Sequence, residues 1–183
     1  MTDRLRHLVA IPLFVLAMPL AAQDMSAFKT GPVFDDFGPH APVAGAAAVP
    51  EATELRHSFD VSEAAKNGKA NRYIESAARF INMHAAAGVE AEDIAVAVVV
   101  HGDASMDLLR QSAWEAKGQS GVNGSHALVR DLLDVGVRVI LCGQSAAAHG
   151  ITPDDLIPGI EMALSAMTAH ALLQQAGYSV NPF

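Results

Sequence analysis

The sequence predicts an α/β protein, a flavodoxin-like open parallel sheet of about five strands with helices on both faces. Two apolar, β-branched runs, residues 94–100 (IAVAVVV) and 137–142 (VRVILC), read as strands buried on both sides of a parallel sheet. Helix-length segments with a 3.6-residue apolar period separate the strand candidates, and strands joined through helices return parallel by right-handed crossovers. Glycine stands just past most of the helical segments, at Gly88, Gly118, Gly136 and Gly177, where a left-handed residue closes a helix.

In chain order, residues 1–22 open with Arg4, Arg6 and His7, continue through an apolar run over 8–18 and end in Ala21-Ala22, the layout of a secretory signal peptide. Pro12, Pro19 and the shortness of the run argue against a lasting membrane span. Residues 23–54 hold Pro32, Pro39, Pro42, Pro50 and an alanine-rich run at 44–48, and read as a linker or extended arm. Phe28, Val33, Phe34 and Phe37 are available to pin it to the domain, residues 55–183. There, 55–61 alternates as a strand with one wetter face, and 69–87 forms a helix with Ile74, Ala77, Ala78, Ile81 and Ala85 on one stripe. After the strand at 94–100, Asp103 is placed to cap a helix over 104–117. A flexible loop over 118–124, a helix at 125–135, the strand at 137–142 and a short helix at 143–148 follow. Thr152-Pro153-Asp154-Asp155 is a helix start with proline at the first position. A last helix over 158–176 is apolar nearly all round, and 178–180 adds a final strand.

The charge balance, 20 acidic against 12 basic side chains and a formal net charge of −8, argues against nucleic-acid binding and against docking on an anionic membrane. One cysteine cannot form an internal bridge, and 51% hydrophobic residues exclude a disordered chain. With the leader, this describes a soluble periplasmic or secreted protein, with no membrane attachment once the leader is removed. The apolar last helix needs cover, either from its own domain or from a second copy in a homo-oligomer.

In open parallel sheets ligands bind beyond the carboxyl ends of the strands. Three segments leave strands there: Asp60-Val61-Ser62, His101-Gly102-Asp103 and Cys142-Gly143-Gln144-Ser145. Cys142 stands at a strand end and just before a helix, where free N–H groups favour a thiolate; the small residues Gly143, Ser145, Ala146 and Ala147 leave the sulfur approachable, and Gly143, Gln144 and Ser145 are candidate ligand contacts. The alternative is an inert core cysteine. His101 can steady the thiolate or handle a proton, or it caps the next helix; Asp103 is a cap or a ligand contact. Residues 143–147 (GQSAA) come near the G-x-S-x-G elbow, but Ala147 replaces the second glycine and no Asp-then-His order follows. No H-E-x-x-H or H-x3-H spacing occurs, so no metal is expected unless the fold assembles His57, His101 and His149. The glycine-rich nucleotide motifs and C-x-x-C are missing too, so neither a nucleotide cofactor nor a dithiol couple is indicated. His84 and His170 fall on helices and read as surface or interface residues.

Residues 98–102 (VVVHG), 136–151 (GVRVILCGQSAAAHGI) and the stretch from Pro158 to Tyr178 resemble the DsrE/DsrF-like family, the sulfur-relay group that includes the Tus sulfurtransferase subunits. The resemblance runs over about residues 55–181. It implies a flavodoxin-like sandwich, assembly as a trimer or hexamer, and a persulfide on Cys142 whose sulfur passes onward. The expected function is therefore a periplasmic, sulfurtransferase-like sulfur carrier with no cofactor. It would hold sulfane sulfur on Cys142 and exchange it with small sulfur species or a partner thiol protein. The competing expectation is a non-catalytic oligomeric binding protein with the same fold and a structural Cys142.

Overall fold

Five parallel strands form one sheet: β1 (Leu55–Val61), β2 (Ile94–Val100), β3 (Arg138–Cys142), β4 (Glu161–Ala163) and β5 (Ser179–Pro182), in the spatial order β4-β3-β2-β1-β5. The computed structural model describes residues 24–182 apart from Asn67, so the expected leader at 1–22 lies outside the described residues. The chain steps across the sheet from β1 to β4 and then returns to place β5 on the far side of β1. Among the described residues five α-helices connect or cover the strands: α1 (Glu75–Ala86), α2 (Gln111–Ala116), α3 (His126–Asp134), α4 (Gly143–His149) and α5 (Ala166–Gln175).

The period of two along each strand sorts the side chains between two unequal layers. Phe59, Val61, Val96, Val98, Val100, Val139 and Leu141 enter the larger core, which α1, α3 and the turn after β2 cover. Each fully buried leucine there, such as Leu128 or Leu132 of α3, contributes roughly 1.5–3 kcal/mol. Ala97, Val99 and Ile140 point to the opposite face, where Ala169 and Leu173 of α5 meet them. The predicted sheet with helices on both faces is present, and α5 is the helix that covers the second face.

Four elements depart from the sequence-based expectation. The helix expected from 69 begins at Glu75, because the buried Asn71 side chain accepts from the Tyr73 and Ile74 N–H groups and holds residues 71–74 in a preceding turn. The helix expected over 104–117 divides into a 3-10 turn, Gly102–Leu108, and α2. The break falls where Leu109 forms an antiparallel bridge to Leu156 and Arg110 N–H donates to Asp155 O. Asp103 is exposed inside that 3-10 turn and caps nothing with its side chain. The capping box of Thr152 and Asp155 does form, yet it starts only one 3-10 turn, since Leu156 is drawn into the bridge to Leu109. Finally, the helix expected over 158–176 is a turn at Pro158-Gly159, then the edge strand β4, then α5 capped by Ser165, whose hydroxyl oxygen accepts from Thr168 N–H.

The proline-rich segment is an arm that packs on α1. Asn82, fully buried, accepts from the N–H groups of Val33 and Phe34 through Oδ1 and donates through Nδ2 to the carbonyls of Phe34, Phe37 and Gly38. Phe34 is buried in the main core, and Gly38 lies so close to the α1 backbone that a Cβ would come 2.4 Å from Ala78 C.

Candidate functional site around Cys142

Strand parity brings three side chains to one place. Asp60, His101 and Cys142 sit at the carboxyl ends of β1, β2 and β3 in phase with Ser58, Val99 and Ile140, so all three face the α5 side. There they line a pocket of about 300 Å³ together with Gln144, Ser165, Ala166, Met167 and His170.

Cys142 is only 5% exposed, yet its side chain forms part of the pocket wall. Burial raises the thiol pKa, but hydrogen bonds to the sulfur outweigh it and the net shift is downward. They come from the backbone and hydroxyl of Ser145 and from the N–H groups of Ala166 and Gln144. Cys142 is the N-cap residue of α4 but makes no side-chain cap hydrogen bond, and these donors surround its sulfur. The ring exists because α4 and α5 start on either side of the cysteine. Gly143 makes that possible: a Cβ there would lie 2.6 Å from Ala163 O and 3.2 Å from Leu164 O. Gln144 ties the same two segments by donating from Nε2 to Leu164 O at 3.2 Å.

Ser145 does not line the pocket. Its Oγ accepts from Gly102 N–H at 3.0 Å while its hydroxyl serves the sulfur, so it is a structural partner rather than a nucleophile. Asp103, exposed on the turn after β2, lies outside the pocket lining. His101 is in place, its Nε2 3.1 Å from Asp60 Oδ1.

Sequence reasoning misplaced one residue. His170, read as a surface or interface position, points inward from α5 and donates from Nε2 to Asp60 Oδ1 at 2.9 Å. Its Nδ1 lies 3.4 Å from Ser58 Oγ. Once the helix starts at Ala166, His170 falls on the stripe with Ala169 and Leu173 that meets the sheet. The available signal was in β1, where Ser58 and Asp60 put polar groups on a face that a helix covers, and buried polar groups require partners.

The imagined metal trio does not assemble. His57 stacks on Phe80 with ring centroids 4.8 Å apart, and His149 ends α4, its carbonyl accepting from Lys117 Nζ. Among the described residues no group of three or more His, Cys, Asp or Glu side chains could hold a metal ion.

Comparison with known proteins agrees with this architecture. The chain is similar to a protein of unknown function from Methanobacterium thermoautotrophicum, MTH1491, at 21% identity and a TM-score of 0.52, covering 71% of this chain and all of that one. It is also similar to the ychN protein of E. coli, at 19% identity and a TM-score of 0.50, covering 70% of this chain and all of that one. At such identities the likeness concerns the fold. No curated protein matches the chain. The sequence profile of the DsrE/DsrF-like family matches residues 58–182, the whole sheet from the middle of β1 to β5 with the pocket included. The chain belongs to the DsrE/DsrF-like family.

Proposed function

We propose that the protein is a sulfur carrier that holds sulfane sulfur as a persulfide on Cys142 and passes it to a small thiol or a partner thiol protein. Membership of the family supports a sulfur-relay role at the coarse level. The observation that carries the finer reading is the thiol at the pocket wall, ringed by donors that favour its thiolate. A thiolate is the attacking form in sulfur transfer, and the same donors suit the terminal anion of a Cys–S–S⁻ group. Intact mass measurement of the reduced protein before and after incubation with polysulfide tests it. One added sulfur, removed by reductant and absent from Cys142→Ser, is expected. No gain, with alkylation of the thiol only after denaturation, would make Cys142 a core residue, the competing reading that its low exposure favours.

Two further properties belong to the same proposal. The leader over 1–22 supports action in the periplasm or outside the cell. Leu164, Met167 and Leu172 are 73%, 80% and 60% exposed beside or along α5, and Met162 on the edge strand β4 is also exposed. A second copy of the chain, in a trimer or hexamer, is the occupant that several exposed apolar side chains beside the edge strand suit.

A further inference from the structure

The pocket contains more proton chemistry than the carriage of sulfur requires. Asp60 Oδ1 accepts from His170 Nε2 at 2.9 Å and stands 3.1 Å from His101 Nε2. His170 is the deeper of the two, its side chain 16% exposed, and is braced behind by Ser58. His101 is 32% exposed, shares the pocket wall with Cys142, and its Nδ1 has no hydrogen-bond partner among the described residues. All three line the pocket, with the Asp60 carboxylate between the two imidazoles and His101 the more exposed of the pair. No lysine or arginine lines the pocket.

Resting on the reading of Cys142 as a sulfur carrier, we propose that His101, held by Asp60 and His170, is the acid that protonates the departing thiol when Cys142 takes sulfur from a small organic hydropersulfide, R–S–SH. The Cys142 thiolate attacks the outer sulfur. A new S–S bond forms to Cys142 as the donor S–S bond breaks, and its electron pair leaves with R–S⁻. The imidazolium proton of His101 passes to R–S⁻, giving R–SH, Cys142–S–SH and neutral His101. The cysteine is oxidised to the persulfide level and the donor is reduced to its thiol, so no other oxidant enters. An ordinary thiol has a pKa of about 8.5, and its release at neutral pH gains from a positioned acid. Asp60 balances the imidazolium charge and orients the ring, with His170 fixing Asp60 in turn; these two are positioning residues.

The test compares two reactions of the same sulfur in His101→Gln, Asp60→Asn and His170→Gln. One is loading from cysteine hydropersulfide, followed by intact mass. The other is alkylation by iodoacetamide, whose iodide leaves without a proton. Loading should fall about 100-fold in His101→Gln and about 10-fold in the other two, a size usual for a lost general acid, while alkylation stays within about twofold of wild type. An aryl hydropersulfide, whose thiol leaves unaided, should load all three variants at close to the wild-type rate. Unchanged loading in His101→Gln, or loading and alkylation falling together, overturns the proposed acid but leaves the carrier intact. A wild-type protein that alkylates readily yet gains no sulfur overturns both readings.

Discussion

One hydroxyl, that of Ser145, joins two strand ends: it accepts from Gly102 N–H after β2 and serves the Cys142 sulfur after β3. Ser145→Ala should therefore raise the thiol pKa and slow alkylation near neutral pH, read from the pH dependence of the iodoacetamide rate. In wild type the inflection should fall below that of an ordinary thiol. The linked stability has a definite sign. With the folded value depressed, the contribution is present above the unfolded thiol pKa and is lost as pH falls through the folded one. Asp107 shows the opposite case. Burial raises its pKa above 3.8, although it accepts from Asn71 Nδ2 at 2.7 Å and Ala65 N–H at 2.8 Å. Its contribution is thus full below 3.8 and declines as pH rises toward the folded value, a slope that Asp107→Asn should flatten in urea melts. Asp107→Ala should cost about 1–3 kcal/mol, because both donors lose their buried partner. Cys142 and His101 were legible in the sequence because each ends an apolar strand. His170 was not, since the apolar run over 158–176 masks the strand β4 and with it the true start of α5, which sets the face His170 falls on.

Elements were read well where one pattern governed them and poorly where a tertiary contact intervened. The β-branched runs of β2 and β3 admit one reading, and both strands lie where expected to within a residue. β4 has three residues and its pattern is masked by the apolar run around it; it exists because β3 offers Ile140–Cys142 as an edge. The Pro158-Gly159 pair and Ser165 were the signals for that break. Two substitutions probe how elements hold the site. Gly143→Ala would force Ala163 and Leu164 away from α4, loosening the start of α5, and should lower both stability and the alkylation rate of Cys142. Asn82→Ala removes five hydrogen bonds between α1 and the arm, two accepted from N–H groups and three donated to carbonyls. It should release the arm to limited proteolysis around residues 33–38 and lower stability by roughly 2–3 kcal/mol.

For the whole molecule, the exposed apolar side chains and the proposed leader make separate predictions. Met167→Glu combined with Leu172→Glu should shift sedimentation toward the monomer without unfolding it, since both residues are exposed in the single chain. Mass measurement of exported protein should place the new amino terminus close to residue 23. The placement of α5 has a consequence for the timing of reactivity. This helix follows β1 to β4 in the chain, and it supplies the Ala166 N–H at the sulfur and His170 at Asp60. While a ribosome is still making the chain, Cys142 is an ordinary thiol. The donors of Ser145 and Gln144 follow the cysteine at once, but the Ala166 N–H and the α5 wall of the pocket arrive only with a segment made some two dozen residues later, so the sulfur gains its last donor and its shielding together.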